Sequence, residues 1–206
     1  GGFSPGTIIK ATSQFNRNLI KTALGQAMDV SLHNPLSNGD RPVLKASMYK
    51  TAYYTVVGPM QLGATLAGAS DELIDRMEVF GRNIGLAYQL RDDILDIFGD
   101  DDDITRRQFS DVSGNKPTFL IENTISMTSG TEHDVFLRSL GRNNLSVAEM
   151  NTVRGIVKRS GALSATMDKA ECLVNEGKSL IPTLTNDEVL SELLKGICEY
   201  AICRED

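Results

Sequence analysis

Three aspartates, Asp92, Asp93 and Asp96, stand within the stretch 85–100, GLAYQLRDDILDIFGD. At about 100° per residue they share roughly a third of a helix circumference. Gln89 falls in the same sector, and Gly85 leaves space beside them. Leu73, Met77, Phe80, Ile84 and Ala87 gather on the opposite side. A solvated helix face normally mixes Glu with Lys, both better helix formers than Asp. Here no basic residue follows at i+4, so the carboxylates repel one another and each carries a propensity cost of about 0.5 kcal/mol. Short carboxylates in this pattern suit a hard divalent cation held against phosphate oxygens. From the residues alone two readings stand: a metal-binding face, or a solvated acidic one.

Other chemistry-bearing residues are equally two-sided. Lys50 reads as a phosphate contact or as a lysine snorkelling from an apolar helix. Lys116 reads as a phosphate contact or as a helix-start lysine opposite an acidic loop. Gln26 and Asp29 lie about one helical turn apart and could form a buried hydrogen-bonded pair. Asp100 to Asp103 follow a helix C-terminus, where the dipole disfavours acids, and read as a solvated loop or a cap. An EF-hand is excluded because its glycine and spaced ligands are absent. A P-loop at Gly114 to Thr118 fails for want of an upstream glycine and a preceding strand.

The elements that must position these residues are helices throughout. Ser4-Pro5 supplies an N-cap and a first-turn proline. From there Ile8, Ala11, Phe15, Leu19, Ala23, Ala27 and Val30 step by three or four along an amphipathic helix. The turn-rich stretch His33 to Asp40 ends it. A second helix is expected from Pro42 to Val57, interrupted at Gly58-Pro59, with a short small-residue helix after it. Ser70-Asp71-Glu72 caps the helix that carries the aspartates. Further helices are expected to begin near Lys116, Thr131, Ser146, Leu163 and Asn186, with a capping box at Ser146 and Glu149. Gly141 and Gly161 read as C-terminal stops. No segment alternates with period two, so the chain reads as all-α and as a single domain over 1–206.

Composition excludes several classes of function. The 206 residues carry a formal charge of −6 and no dense basic cluster, which argues against nucleic acid. Three cysteines, Cys172, Cys198 and Cys203, form no CxxC pair, which suits a reducing cytoplasm better than a disulfide framework. Thr51 to Ser70 is a run of 20 uncharged residues, long enough to span a bilayer. Its Gly-Pro pair, Gln61, tyrosines and threonines instead indicate buried helices, so no integral membrane protein is expected.

The order of motifs resembles one family. Tyr88 to Asp96, YQLRDDILD, looks like the second aspartate-rich motif of the trans-isoprenyl (polyprenyl) diphosphate synthases. Gly25-Gln26-Ala27-Met28-Asp29 resembles the family's GQxxD helix, Lys50-Thr51 its lysine-threonine pair, and Gly114 to Thr118 its GKxT segment. Tyr200 to Arg204 also resembles family C-termini. The resemblance implies an all-α isoprenoid-synthase bundle that joins an allylic diphosphate to isopentenyl diphosphate head to tail. It further implies Mg²⁺ held by Asp92, Asp93 and Asp96, diphosphate contacts from Lys50 and Lys116, and Thr51 and Gln89 near the reacting carbons. Catalytic roles would then fall on Lys50, Gln89 and Asp92, and the assembly would be a homodimer.

Two departures accompany the likeness. Where the family places a further glycine-lysine pair, this chain has Arg106-Arg107, and Arg106 becomes a candidate diphosphate contact. No second DDxxD occurs in the sequence. The chain therefore reads as an N-terminally truncated bundle, roughly the C-terminal two-thirds of a synthase, inactive by itself for lack of half its metal clamp. The alternative is a non-catalytic synthase-like subunit that modulates a complete homologue.

Overall fold

The computed structural model describes residues 2–32, 42–99 and 109–204. Within them the chain is helical, with no strand. The stretch His33 to Asp40 and the acidic run Asp100 to Asp103 lie outside the described residues, as does Arg106.

Local chemistry accounts for most of the boundaries. Helix α1, Pro5–Leu32, starts where Thr7 N donates to Ser4 Oγ at 3.2 Å. Helix α2, Val43–Ser47, runs without a break into a π-helical segment, Met48–Val57, and then into α3, Gly58–Leu66. The expected interruption at Gly58-Pro59 is instead a change of pitch, with Gly58 in the right-handed helical region. Its N–H bonds back to Tyr53 O, and Pro59 sits in the first turn of α3, where the missing N–H is tolerated.

Helix α4, Asp71–Phe98, is capped by Ser70, whose Oγ accepts from Leu73 N at 3.3 Å. The short helix α5, Ser110–Ser113, precedes α6, Phe119–Met127, which Thr118 caps. Helices α7, Gly130–Ser139, and α8, Val147–Arg159, follow, the latter with the complete Ser146–Glu149 capping box. Gly141 at φ +79° and Gly161 at φ +86° turn the chain left-handed after α7 and α8, as helix stops do. Helices α9, Ala162–Leu184, and α10, Glu188–Cys203, complete the chain, and Asp187 rather than Asn186 caps the last.

The π segment lies between α1 and α4, and α9 packs on another side of α4. Phe80, Ile84 and Leu90 of α4 meet Val174 and Ile181 of α9 and Cys198 of α10 in one apolar core. A second core gathers Ile94 and Ile97 with Phe109, Leu120, Phe136 and Ile156. No described helix is long and apolar enough to cross a membrane.

Helix α1 turns its amphipathic stripe the unexpected way. Ala11 is buried, but Ile8, Phe15, Leu19, Ala23, Ala27 and Val30 are exposed. Its inner face is small or polar instead: Ala11, Gln14, Asn18 and Gly25 are the buried residues before Leu32. The reason is a polar network between the helices. Gln14 Nε2 and Asn18 Nδ2 donate to Gln61 Oε1 at 2.5 and 3.1 Å, and Gln61 Nε2 donates to Ile74 O at 3.1 Å. Lys21 Nζ and Tyr53 Oη both donate to Glu78 Oε1, at 2.8 and 2.5 Å. An apolar inner face on α1 would leave the buried Gln61 Oε1 without its two donors.

The network sets a pH dependence. Burial alone would raise the Glu78 carboxyl, but hydrogen bonds from Lys21 and Tyr53 and the Lys21 charge outweigh it and hold it below its ordinary 4.5. A depressed carboxylate contributes stability above its unfolded pKa and loses it as pH falls through the lower folded value. Urea midpoints of the unmodified chain should therefore fall more steeply below pH 4.5 than those of Glu78→Gln. Parallel curves for the two proteins would remove Glu78 as the source.

Candidate functional site

Two glycines determine how closely the site-bearing helices approach. A Cβ on Gly25 of α1 would collide with the backbone of Tyr49 and Lys50. A Cβ on Gly85 of α4 would lie 2.5 Å from Ala52 Cα. Each glycine therefore lets its helix touch the π segment, one from either side. One turn further on stand Asp29 and Gln89, on the same faces as the glycines. Asp29 Oδ2 accepts from Lys50 Nζ at 2.7 Å, and Gln89 Oε1 accepts from Thr51 Oγ1 at 2.7 Å. Neighbouring residues of one π turn are thus held by opposite flanking helices. Inserted π turns recur at functional sites because they redirect side chains in this way.

Five of the sequence-predicted residues meet at one cavity of about 70 Å³: Lys50, Thr51, Gln89, Asp93 and Lys116. Asp29 and Asp111 line it too. Gln89 Nε2 donates to Asp93 Oδ1 at 2.8 Å, extending the chain from Thr51 through Gln89 to the aspartate motif. Lys116 Nζ donates to Asp111 Oδ1 at 2.6 Å. The Gln26–Asp29 pair does not form: Gln26 is exposed, and Asp29 bonds Lys50. A larger cavity of about 630 Å³ between α1, α3 and α4 holds Lys10, Arg17 and Lys21 against Asp71, Asp75 and Glu78. None of the sequence-predicted site residues lines it.

The three aspartates of the motif have three different surroundings. Asp93 is only 3% exposed. Burial pushes its carboxyl up to about 8, the Gln89 bond opposes this, and the charges of Asp111, Asp92 and Asp96 add to it. Burial thus favours its protonated form. Asp96 is also raised by burial and by Asp111, against hydrogen bonds from the turn that follows. Ser110 N and Oγ donate to Asp96 Oδ1 at 3.0 and 2.7 Å, and Asp111 N donates to Oδ2 at 3.0 Å. Phe109, buried and at φ +61°, places those groups, its own N donating to Asp96 O at 2.8 Å. A left-handed conformation at a bulky residue is strained and persists only where surroundings impose it. Asp92, with 42% of its side chain exposed, pairs with Arg204 and does not line the cavity.

Sequence reasoning missed three partners. Asp111 lies five residues before Lys116 and belongs to none of the recognised motifs. Asp29 belonged to a recognised motif but was given a structural role. Arg204 belonged to the family-like C-terminus and was given none. For each, the only available signal was an opposite charge at a distance the sequence does not reveal.

Carboxylate oxygens are the ligands a hard cation takes. A cation would relieve the repulsion that raises Asp93 and Asp96. Asp96 Oδ2 keeps a lone pair beyond the one bonded by Asp111 N. Among the described residues no three acidic, His or Cys groups converge as a ready-made metal cage. The set thus fits a cation in charge and hardness, as a partial site whose remaining ligands would have to come from outside the chain.

Comparison with known proteins points to one family. Residues 6–157 match the polyprenyl synthetase family. The geranylgeranyl diphosphate synthase of Sulfolobus acidocaldarius is 29% identical over 203 residues, covering 98% of this chain and 61% of that protein. The (2E,6E)-farnesyl diphosphate synthase of Mycobacterium tuberculosis H37Rv is 26% identical over 97% of this chain and 55% of its own length. The chain therefore spans about 61% or less of these curated relatives. A geranylgeranyl pyrophosphate synthase of Corynebacterium glutamicum, complexed with isoprenyl diphosphate and magnesium, has the same all-α fold. It superposes with a TM-score of 0.88 at 23% identity, over 98% of this chain and 57% of that one.

The glycine at the contact carries a direct test. Gly85→Ala places a Cβ 2.5 Å from Ala52 Cα, where backbone must move. It should destabilise the chain by about 1–3 kcal/mol, as overpacked cores do, measured from urea midpoints. An unchanged midpoint would show that α4 and the π segment separate without penalty.

Proposed function

The chain belongs to the polyprenyl synthetase family, and from that premise we propose that it forms part of a prenyltransferase. The reaction is the head-to-tail joining of an allylic diphosphate to isopentenyl diphosphate in isoprenoid biosynthesis. Asp92, Asp93 and Asp96 would hold Mg²⁺, directly or through water. The observation that carries this reading is the meeting of Lys50, Thr51, Gln89, Asp93 and Lys116, from three separate segments, around one cavity.

The charge balance of that cavity favours such a use. Lys50 and Lys116 are each paired with one carboxylate, Asp29 and Asp111, and burial raises the Asp93 carboxyl to about 8. The lysines therefore offer little net positive charge to a bare diphosphate. Bound Mg²⁺ supplies Lewis-acid neutralisation of the leaving diphosphate. Lys50 and Lys116, able to turn from their carboxylates to phosphate oxygens, add electrostatic stabilisation as charge develops there. Burial and the Asp111 bond oppose one another at Lys116, and the bond and the charge of Asp111 win, so its amine is held protonated. The Thr51–Gln89–Asp93 chain fixes the Gln89 amide, so its polar atoms face the reacting end of the substrate in one orientation. Arg106, outside the described residues, is a further proposed diphosphate contact.

Inorganic diphosphate should accordingly bind this chain with Mg²⁺ and not without it. Calorimetry with and without Mg²⁺ measures this, and equal binding in both sinks the metal reading. Asp92→Ala should weaken the Mg²⁺-dependent binding about 10–100-fold, with helical circular dichroism unchanged. In a complete enzyme the same change should greatly reduce turnover. The 206 residues hold one aspartate-rich motif, so condensation by this chain alone is not expected.

The partner proposed for α1 is a second copy of the chain. Phe15 and Leu19 are each 53% exposed and Val30 is 64% exposed, along one helix stripe. A large outward apolar stripe is unfavourable in water, and a twofold axis beside it would bury both copies together. Sedimentation equilibrium should show a dimer that Leu19→Glu shifts towards monomer. A monomer at micromolar concentration would remove the second copy as the covering surface.

A further inference from the structure

The aspartate motif already has a cation, and it is the chain's own. Arg204 Nη2 donates to Asp92 Oδ1 across 112 residues of sequence. The guanidinium does not owe its place to that contact. Arg204 O accepts from Arg91 Nε and Nη2 at 2.9 and 2.7 Å. Its guanidinium carbon lies 3.6 Å from the centre of the Tyr88 ring, and Nη2 also donates to Tyr88 O at 3.2 Å. Tyr88, Arg91 and Asp92 are spaced i, i+3 and i+4 on α4, so one helix face anchors the backbone, stacks the guanidinium and presents the carboxylate.

The pairing is asymmetric. The Arg204 side chain is 6% exposed, against 42% for Asp92. The buried Arg204 Nε has no hydrogen-bond partner. A guanidinium stays charged at every pH at which proteins fold. It neutralises Asp92 while no metal is present, and it repels any dication that approaches the same carboxylate.

We propose that Arg204 is a resident counter-cation for Asp92, a positioning residue that competes with divalent metal at the aspartate motif. The inference rests on the reading of Asp92 as a metal ligand. Metal and the C-terminal arginine then exclude one another at Asp92. A metal ion that arrives with diphosphate carries less net charge than a bare one, so the arginine disfavours premature loading by the bare ion.

The test compares Mn²⁺ binding, read by the free-ion electron paramagnetic resonance signal, in the unmodified chain and in Arg204→Gln, Arg204→Lys and Asp92→Asn. Arg204→Gln should bind Mn²⁺ about tenfold more tightly. Arg204→Lys keeps the charge and should stay near the unmodified affinity, although it loses the planar stack. A merely structural arginine would give equal affinities in all three while both substitutions lower the melting temperature, and that result overturns the inference. Loss of Mn²⁺ binding in Asp92→Asn with no change in Arg204→Gln overturns the inference alone. Absence of Mn²⁺ binding in every protein, or binding unmoved by Asp92→Asn, overturns the metal reading beneath it. A measurement on the unmodified chain stands even where a variant fails to fold. Mg²⁺ should speed hydrogen exchange at Ile202, Cys203 and Arg204, and unchanged or slower exchange there overturns the competition.

Discussion

The close approach of α1 and α4 to the π segment is the constraint on which the rest of the structure depends. Gly25 meets the backbone at Tyr49 and Lys50, and Gly85 meets Ala52. A methyl group at either point would push two helices apart, and interiors at protein packing density have no slack to absorb that. The contacts are made one turn before Asp29 and Gln89, so the glycines convert backbone proximity into two side-chain bonds, to Lys50 and to Thr51. The wider turn of the π helix presents those two consecutive residues to different neighbours. A uniform α-helix would carry the same residue types at a different angular spacing.

Electrostatics provides the second organising demand. Around the motif stand Asp92, Asp93, Asp96 and Asp111, close enough for their charges to raise Asp93. Each is handled differently. Asp93 is buried and its carboxyl raised, Asp96 is bonded by the Ser110–Asp111 turn, Asp111 takes Lys116, and Asp92 takes Arg204. Buried charge without a partner is among the most unfavourable arrangements in a protein, and partners are drawn from wherever the fold supplies them. The outcome is a site whose charges are satisfied internally before any ligand arrives. A ligand must therefore compete with existing bonds.

Helix α1 shows how far a local pattern can mislead. Its stripe from Ile8 to Val30 has the spacing of a core-facing surface, yet all of it but Ala11 faces outward. The inward face is polar because Gln61, at 1% exposure, needs the amides of Gln14 and Asn18. Periodicity reports that a helix has two faces. It does not report which neighbour each face meets, because that depends on residues remote in sequence.

What the sequence by itself determined is local. Ser4, Ser70 and Ser146 mark helix starts because a hydroxyl must satisfy the first free N–H groups. Gly141 and Gly161 mark stops because only glycine adopts a positive φ at little cost. The all-helical class and the gathering of Lys50, Thr51, Gln89, Asp93 and Lys116 were likewise legible, the latter through ordered motifs. Only the tertiary structure decided the continuity through Gly58-Pro59, the outward turn of α1, and the pairing of Asp92 with Arg204. It also separated the three aspartates, burying Asp93, bonding Asp96 to the turn and leaving Asp92 half exposed. Helical spacing places three carboxylates in one sector. The dielectric and the partners each one meets come from helices up to 112 residues away.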